Sequence, residues 1–497
     1  MRKKYLLGYD IGSSSIKASI LDAQTGAAIA VAQSPSVEMK INSPQLGWAE
    51  QDPETWWDNL KKATQKILNN INSGSYEIAS IGISYQMHGL VLVDNNYKVI
   101  YPSIIWCDSR AVGIGEKAFN DLGKEHCLSH FLNSPGNFTL SKLKWVKDNL
   151  PDIFKCVYKI MLPGDYIAMK ITNEIKTTIS GLSEGIFWDF KKNELSNELL
   201  DYFEIDKNLI SDLTPTFGEQ GKLTKDAANE LGLEPGISVS YRAGDQPNNA
   251  LSLNVLKPGE IAATAGTSGV VYGITEQNLY DNYSRVNAFA HVNYSLKNQY
   301  KGVLLCINGT GILYQWLKNV LFSDNFSYDQ MNNYAADAPI GSEGLITIPF
   351  GNGAERSLNN REVNGHFVGF NYNKHTIPHL VRSALEGIAC SFNYGLEIMK
   401  DMGMEVNVLR VGDANLFLSP IFCEAIANIC DVNIEVYNTD GSQGAARGGG
   451  IGAKVYNSFD EAFKGLKKIK NIPPVTEKVK RYNKIYERWN EKLLGLL

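Results

Sequence analysis

The sequence lacks the features that mark membrane, secreted and zinc-ribbon proteins. No window approaches the roughly 18 uninterrupted apolar residues that a membrane span requires, so no membrane partner is expected. The seven cysteines are odd in number and contain no CxxC pair, which predicts neither a disulfide framework nor a zinc ribbon. Gly8, Asp10 and Gly12 interrupt the apolar stretch after Met1, which predicts a first β-strand and not a signal peptide. These absences favour a reducing cytoplasm.

An excess of positive charge is also missing. Lys and Arg number 48 against 53 Asp and Glu, and the net charge of -5 gives no basic field for nucleic acid. The seven histidines are not expected to form a zinc site. The 497 residues exceed the roughly 250 to 300 that one hydrophobic core serves, so two or more domains are expected. The oligomeric state is left open, with a homodimer as one candidate.

The first segments of the chain predict a strand meander followed by a helix. Apolar runs at 5–11 and 16–21 flank a Gly-Ser turn and indicate a β-hairpin, with a third strand at 27–33. Apolar residues at steps of three and four over 55–72 predict an amphipathic helix. Asp52 followed by Pro53 is typical of a helix N-terminus.

The same pattern returns about 250 residues later. Strands are predicted at 259–265 and 270–275 around a GTSG turn, and a helix is predicted at 379–397. We therefore expect a structural duplication, although two unrelated Gly-turn hairpins would look alike. A last amphipathic helix, at about 477–494, is expected to pack back onto a domain.

Two glycine turns have the composition of phosphate-binding sites. Asp10 ends the first strand and precedes Gly12, Ser13 and Ser14, an arrangement that can hold a hydrated Mg²⁺ while backbone N–H groups face phosphate oxygens. Asp and Gly are also common in ordinary turns, which is the alternative for this segment. The turn at Gly266 to Gly269 repeats the composition in the second half, so the two turns could hold a polyphosphate between them.

A carboxylate suited to proton transfer follows the first half. Asp245 lies between residues that favour loop backbone, where a phosphoryl-transfer enzyme could use it to orient a hydroxyl and accept its proton. Near the C-terminus, Gly412 and Asn415 lie between a strand at 406–411 and a helix that begins at Ser419-Pro420. That glycine would let the backbone approach a flat ligand, and an ordinary βα loop is the alternative.

The chain resembles, from end to end, the FGGY family of carbohydrate kinases. The motifs that carry the resemblance are DxGxxxxK from Asp10 to Lys17, WxEQDPExWW from Trp48 to Trp57, QMHG from Gln86 to Gly89, WxDxR from Trp106 to Arg110, the Gly-Asp pair at Asp245, and GTSG at Gly266. Two strings depart from the family pattern: VGD at 411–413 replaces GGG, and GAERSL at 353–358 replaces GERTPH. Both departures fall in the part of the family pattern that is associated with nucleotide binding.

The resemblance implies an α/β fold of two actin-like, ribonuclease H-like domains with ATP and sugar in the cleft between them. We expect an N-terminal sugar-binding domain over 1–247 and a C-terminal nucleotide-binding domain over 248–497. The implied catalytic base is Asp245, and Mg²⁺ would be held by Asp10 through water, with Asp245 as a further candidate. The implied substrate-binding residues are Gln86, Met87, His88, Asp108, Arg110 and Gln246. The implied ATP-binding residues are Asp10, Ser13, Ser14, Lys17, Gly266, Thr267, Gly412 and Asn415.

The implied activity is ATP-dependent phosphorylation of a ketopentose, D-xylulose to D-xylulose 5-phosphate. WxEQDPExWW and QMHG distinguish xylulose-phosphorylating members from glycerol-phosphorylating ones, and neither string is expected at a nucleotide site. Gln246 stands where asparagine is common, which leaves ribulose, another pentulose or a polyol as alternative substrates. His88 could instead be a structural, hydrogen-bonded residue. The alternative from another class is an actin- or Hsp70-like ATPase without a sugar substrate.

Overall fold

The computed structural model describes residues 2–71, 76–322 and 325–497. Within these ranges the strands are β1 (Lys3–Ile11), β2 (Ile16–Asp22), β3 (Ala28–Ser34), β4 (Glu50–Gln51), β5 (Tyr76–Tyr85), β6 (Leu90–Val93), β7 (Val99–Ile104), β8 (Lys159–Met161), β9 (Lys176–Thr177), β10 (Trp188–Asp189), β11 (Glu194–Leu195), β12 (Asp212–Leu213), β13 (Phe217–Lys222), β14 (Ser238–Gly244), β15 (Gly259–Ala265), β16 (Gly269–Thr275), β17 (Asn287–Ala290), β18 (Lys301–Ile307), β19 (Ile346–Phe350), β20 (Asn364–Val368), β21 (Val406–Gly412), β22 (Asn433–Tyr437) and β23 (Lys468–Ile472).

The helices in the same ranges are α1 (Pro53–Asn69), α2 (Val112–Asp121), α3 (Lys124–Phe131), α4 (Thr139–Asn149), α5 (Pro151–Lys155), α6 (Pro163–Thr172), α7 (Ile179–Glu184), α8 (Asn197–Phe203), α9 (Lys225–Leu231), α10 (Asp245–Ser252), α11 (Gly311–Leu321), α12 (Tyr328–Ala336), α13 (Ile377–Asp401), α14 (Pro420–Ile429), α15 (Gly441–Gly452), α16 (Phe459–Ala462) and α17 (Thr476–Leu494). Short 3₁₀ helices cover Lys207–Leu209, Ser342–Gly344, Arg356–Leu358 and Asn415–Leu418. No helix in the described ranges combines the length and the apolar character needed to cross a bilayer.

The first half of the chain forms a mixed sheet with the order β13-β14-β5-β1-β2-β3. Strands β1, β2 and β3 form an antiparallel meander, which confirms the predicted hairpin and third strand. Strand β5 runs parallel to β1, and β14 runs parallel to β5. Because parallel strands end at the same edge of a sheet, residues that follow β1, β5 and β14 lie side by side.

The second half repeats this arrangement in a sheet with the order β17-β18-β16-β15-β21-β22-β23. Strands β15, β16 and β18 form the meander, while β21 and β22 add in parallel. Each sheet also has an antiparallel strand, β13 or β23, beyond the last parallel one. The predicted duplication is confirmed at the level of topology, and the fold is that of two actin-like, ribonuclease H-like domains.

Three predicted helices are present with shifted ends. Helix α1 begins at Pro53, with the Asp52 side chain accepting a hydrogen bond from the backbone N–H of Glu54. It ends at Asn69, whereas the prediction ran to residue 72, which lies outside the described residues. Helix α13 covers the predicted 379–397, and α17 covers 477–494. Trp489 of α17 is buried and donates to the carbonyl of Thr347, so α17 closes onto the second half.

Helix α15 crosses from the second half of the sequence to the sheet of the first half. It packs against β1, β5 and β14. The approach is so close that a Cβ atom on Gly82 of β5 would lie 1.8 Å from the carbonyl oxygen of Ala445. The strands of the first sheet end at Gly244 and those of the second begin at Gly259. A domain boundary at residue 247 stays a prediction, since α15 belongs to both halves.

Candidate active site

The ends of three parallel strands bring the predicted acidic residues together. Asp10 of β1 is paired in register with Ser84 of β5, and Tyr85 of β5 is paired with Gly244 of β14. The Ser84 hydroxyl donates to Asp10 Oδ1 at 2.8 Å. Asp245 follows Gly244 directly, so both predicted carboxylates lie at one edge of the first sheet.

Asp245 is the first residue of helix α10 and not a loop residue as predicted, because β14 runs into the helix without an intervening turn. The residue is half-buried. Burial raises the pKa of Asp245 to about 7, and the nearby charge of Asp10 also raises it. The side-chain amide of Gln246 donates to Asp245 Oδ2 at 3.3 Å. A carboxylate with a pKa near neutrality is suited to accept a proton at physiological pH.

A third carboxylate, which the motif analysis missed, comes from the N-terminus of α15. Asp440 is the N-cap of that helix, and its charge raises the pKa of Asp10, although burial of Asp10 is the larger cause. Gly441 lies so close that a Cβ atom there would be 2.6 Å from Asp10 Oδ2. The run GSQGAARGGG at 441–450 is the sequence signal for this contact, since small residues permit close packing.

The first glycine turn is held by Gln51 of the WxEQDPExWW string and by two residues outside that string. The Gln51 side-chain amide donates to the carbonyl of Ser13 at 2.7 Å, and the backbone N–H of Met39 donates to the carbonyl of Ser14 at 2.8 Å. The indole N–H of Trp106 is 3.4 Å from Ser13 Oγ. Gln51 of the WxEQDPExWW string therefore fixes the backbone of the turn at Ser13. Lys17 is exposed and faces Asp10 across the hairpin.

The QMHG residues follow β5 directly and change the direction of the chain at His88. His88 has a φ of 60°, a left-handed conformation uncommon for histidine. Its Nδ1 lies 2.8 Å from the carbonyl oxygen of Glu184, and burial lowers the pKa of His88 to about 3. The neutral ring therefore donates through Nδ1 and keeps a lone pair on Nε2. Met87 is buried, and Gln86 is buried with its side-chain amide 3.5 Å from Gln51 Oε1.

Glu184 is a buried carboxyl group beside these residues that sequence analysis did not identify. A Cβ atom on Gly244 would lie 2.3 Å from Glu184 Oε2, so the carboxyl group lies against the residue that precedes Asp245. Burial raises the pKa of Glu184 well above its usual value, and the charge of Asp245 also raises it. No local motif marks it, because its neighbours come from β5 and β14.

Asp108 and Arg110 lie together, but their side chains are engaged inside the protein. Arg110 pairs with Asp108 at 2.7 Å and with Glu50 at 2.8 Å, and its guanidinium lies 3.8 Å from the centre of the Trp48 ring. Asp108 also accepts from the backbone N–H of Ala49 at 2.6 Å. Both side chains are at most 1% exposed. These contacts hold the segment that leads to Gln51, and a substrate contact by either residue stays a prediction.

The second glycine turn lines a cavity of about 390 Å³. The Thr310 hydroxyl lies 3.1 Å from the carbonyl oxygens of both Gly266 and Thr267, and the N–H of Gly311 donates to Gly266. Thr310 was missed in the sequence because it lies more than 40 residues downstream. The lining residues are Ala265, Gly266, Thr267, Gly311, Tyr314, Gln315, Tyr328, Asp329, Asn332, Asn415, Leu416, Leu418 and Ser419.

Gly412 is not among the residues that line this cavity, whereas Asn415 is. Asp413, the departure from the family's glycine, is exposed and pairs with Lys470 at 3.2 Å. In the other departing string, Glu355 accepts from the N–H of Asn308 and Arg356 donates to the carbonyl of Ser284. Both strings therefore make internal contacts away from the cavity wall.

The carboxylates at the cleft fit a hard divalent cation. Besides burial, the charge of Asp440 raises the pKa of Asp10 and the charge of Asp10 raises the pKa of Asp245, while Lys17 lowers the pKa of Asp10. Oxygen donors with excess negative charge are the ligands that Mg²⁺ prefers. Away from the cleft, two histidines lie beside a carboxylate. The sequence holds two HxxxH spacings, and one of them, His126 and His130, lies within ligand distance of Glu198.

Comparison with known proteins defines the class of this site. Residues 5–252 match the N-terminal domain of the FGGY family of carbohydrate kinases, and residues 261–453 match its C-terminal domain. The protein is therefore a sugar kinase. The chain belongs to the FGGY family of carbohydrate kinases.

Similar proteins cover nearly the whole chain. A xylulose kinase of Staphylococcus xylosus is 27% identical over 485 residues, which is 97% of this chain and 98% of that protein. A xylulose kinase of Bacillus subtilis is 27% identical over 493 residues, 97% of this chain and 95% of that protein. The crystal structure of a xylulose kinase from Rhodospirillum rubrum has a TM-score of 0.87 at 23% identity and covers 99% of both chains. A glycerol kinase structure from Plasmodium falciparum has the same TM-score at 18% identity, so structural likeness here shows the fold alone.

Proposed function

We propose that this kinase transfers the terminal phosphoryl group of ATP to the O5 hydroxyl of D-xylulose. The observation that carries the proposal is Asp245, which lies at the meeting point of three strand ends with its pKa raised to about 7. The QMHG residues follow β5 beside it, and Asp10, before the first glycine turn, lies at the end of the next strand of the same sheet. The xylulose kinase names of the relatives support the choice of sugar.

The sugar would be held by hydrogen-bond acceptors that have no protein partner. In the described part of the chain, Gln86 Oε1 and Gln246 Oε1 are buried without a hydrogen-bond donor. His88 adds the free lone pair on Nε2, since Nδ1 donates to Glu184. Buried acceptors without donors cost free energy unless a ligand hydroxyl reaches them. Three acceptors around Asp245 are therefore matched to a polyhydroxy substrate.

The proposed reaction is an in-line displacement at the γ-phosphorus. The O5 oxygen forms a bond to phosphorus, the bond from phosphorus to the β–γ bridging oxygen breaks, and ADP leaves. The O5 proton passes to the Asp245 carboxylate. Backbone N–H groups and hydroxyls at Ser13 and Ser14 face the phosphates from one side, and those at Gly266 and Thr267 face them from the other.

Mg²⁺ would be held by Asp10 through water, with Asp245 beside it. When bound, Mg²⁺ neutralises charge on the transferring phosphoryl group. Asp10 is oriented for this by the Ser84 hydroxyl at 2.8 Å. The nucleoside would occupy the 390 Å³ cavity beyond Gly266, where Tyr314 and Asn332 are joined by a 2.8 Å hydrogen bond. Clefts of a few hundred Å³ suit ligands of this size.

The second half of the chain already reaches the sugar side. Phe289 of β17 lies 5.2 Å from the His88 ring, and Phe138 lies 4.9 Å from the same ring. These aromatic side chains would exclude water from the reacting hydroxyl, which favours transfer to sugar over hydrolysis. We also assign the enzyme to the cytoplasm, where its seven unpaired cysteines would stay reduced. A homodimer stays a prediction.

A coupled ADP-release assay tests the proposal. The panel would contain D-xylulose, D-ribulose, a hexulose and glycerol, with a reaction lacking sugar as the control. We expect the highest kcat/KM for D-xylulose and background ADP release without sugar. A different sugar preferred by tenfold or more would contradict the substrate assignment. ADP release that does not depend on any sugar would favour the ATPase alternative.

A further inference from the structure

Helix α3 places two imidazoles over one another on a partly exposed face. His126 and His130 are four residues apart in α3, so their side chains lie on the same face of the helix. Their ring centres are 4.2 Å apart with an angle of 25° between the rings. His126 is about one-third exposed, and His130 is mostly buried.

A carboxylate from a different helix completes the group. Glu198 lies in the first turn of α8, 72 residues from His126 in the sequence. Glu198 Oε1 is 2.9 Å from His126 Nε2. One ligand atom from each of the three residues lies within 4.8 Å of the other two. Tetrahedral Zn²⁺, with bonds of about 2.0 to 2.2 Å to N and O, needs donors roughly 3.4 Å apart, so small rotations of the side chains would suffice.

The ring of His130 is already oriented as a metal ligand. His130 Nδ1 lies 2.8 Å from Oδ2 of Asp189, a carboxylate that is 1% exposed. Oδ1 of Asp189 accepts from the backbone N–H groups of Lys191 and Lys192, which fixes the carboxylate in place. Donation from Nδ1 to Asp189 leaves the lone pair on Nε2 free. Carboxylate–histidine pairs of this kind orient and strengthen histidine ligands in metal sites.

We propose that His126, His130 and Glu198 bind a divalent transition-metal ion of the Zn²⁺ type. Two imidazoles and one carboxylate favour Zn²⁺, Co²⁺ or Ni²⁺ over Mg²⁺, which prefers oxygen ligands. The site is therefore distinct in chemistry from the carboxylates at Asp10 and Asp245. With three protein ligands, water would complete the coordination.

The metal would tie α3 to α8 and so stabilise the segment that follows α3. Asn133, just after α3, forms two hydrogen bonds with the backbone of Ala288 in β17, at 2.7 and 2.9 Å. The carbonyl of His130 accepts from the N–H of Phe190. An ion that binds the folded chain and not the unfolded one raises the melting temperature. The expected role is to stabilise the contact between α3 and β17.

Metal titration of the full chain tests this site. The tag-free protein is stripped with EDTA and dialysed, and Co²⁺ is added in the presence of excess Mg²⁺ without ATP, so that Mg²⁺ competes at the carboxylates of the cleft. We expect one Co²⁺ per chain with visible absorption bands of low-symmetry coordination. Zn²⁺ should displace Co²⁺ and raise the melting temperature by several degrees.

Three variants test the metal ligands and the carboxylate that orients His130, and a fourth serves as the control. Glu198→Gln and His126→Gln should each lower Co²⁺ affinity by at least about 100-fold, and Asp189→Asn should lower it about 10- to 100-fold. His379→Gln is the matched control, because it removes one histidine of the other HxxxH pair. His379 forms a capping box with Thr376, and glutamine can replace it in that role. Glu198 is about one-third exposed, so Glu198→Gln should fold even if another variant does not. Equal Co²⁺ affinity in the parent and in Glu198→Gln, or no saturable binding, would overturn the proposal.

Discussion

The carboxyl group of Glu184 lies directly against the α-carbon of Gly244, the residue that precedes the proposed base Asp245. A Cβ atom at residue 244 would lie 2.3 Å from Glu184 Oε2 and 2.6 Å from Met87 Cγ. Both neighbours are buried, so neither can move away without disturbing the packing beneath the proposed sugar site. This contact explains why a glycine is needed at the end of β14.

Gly244→Ala should therefore reduce kcat by more than tenfold, because the added methyl group displaces Asp245 from the cleft. Misplacement of a reacting group by about 1 Å can cost about 100-fold in rate. Gly113→Ala is the control, since nothing lies within 4 Å of a Cβ atom at that position. Steady-state kinetics with D-xylulose would measure both variants. Parental kcat in folded Gly244→Ala would show that the contact does not position Asp245.

Thr267→Val tests the second glycine turn. The substitution keeps the volume of the side chain and removes the hydroxyl that we propose faces the phosphates. The turn should persist, because Thr310 binds the backbone carbonyls of Gly266 and Thr267 and not the Thr267 side chain. We expect KM for ATP to rise several-fold while KM for the sugar changes little. Unchanged ATP kinetics would remove the Thr267 hydroxyl from phosphate binding.

His88→Ala tests the sugar side. The variant removes the acceptor Nε2, so KM for D-xylulose should rise by about 10-fold, in line with the loss of one hydrogen bond of about 1 to 1.5 kcal/mol. The KM for ATP should stay close to the parental value. If sugar and ATP kinetics are both parental, His88 has only a structural role through its hydrogen bond to Glu184.

The sequence could predict the elements whose signals are local. The hairpin at Asp10, the entrance of α1 at Asp52 and the GTSG turn each depend on residues a few positions apart, and all three are present. Helix α15 could not be predicted in this way, because its glycine-rich sequence has low helix propensity and its stability comes from packing on the first sheet. Asp440 therefore joins Asp10 only in the folded chain.

The contacts of the buried charged residues could not be predicted from the sequence either. The string from Trp106 to Arg110 has the spacing of a family motif, but spacing does not show whether a side chain faces solvent or protein. The Arg110 side chain forms ion pairs with Asp108 of the same string and with Glu50, which lies 60 residues earlier in the chain. Glu184 has no motif at all, and its position depends on the contact with Gly244.

Asp245→Asn should lower kcat at least about 100-fold, because general-base assistance typically contributes about 10² to 10⁴ in rate. The amide is nearly isosteric and can still hydrogen-bond the hydroxyl, so KM for sugar and ATP should change much less than kcat. In the parent, kcat/KM should fall as pH drops below about 7, where Asp245 becomes protonated. A folded Asp245→Asn variant within a few-fold of parental turnover would remove Asp245 from the mechanism.

The same substitution should stabilise the metal-free protein at alkaline pH. The pKa of Asp245 rises from 3.8 to about 7 on folding, so between these values the folded chain holds a proton that the unfolded chain releases. The free energy of unfolding that the protonated Asp245 contributes is therefore lost as pH rises from about 4 to about 7. At about 1.4 kcal/mol per pKa unit, and allowing for access of water from the cleft, the loss is of the order of 2 kcal/mol. The Asp245→Asn variant does not lose this stability, because asparagine does not titrate.

Melting temperatures measured in EDTA at about pH 5 and pH 8.5 would show the effect. Asp245→Asn should gain a few degrees over the parent at the higher pH and much less at the lower one. Asp413→Asn is the control, because it removes an exposed carboxylate paired with Lys470. A stability difference between Asp245→Asn and the parent that is the same at both pH values would show that burial does not shift the titration of Asp245. If Asp245→Asn both raises the melting temperature at pH 8.5 and lowers kcat, then the Asp245 carboxylate supports phosphoryl transfer while it destabilises the fold.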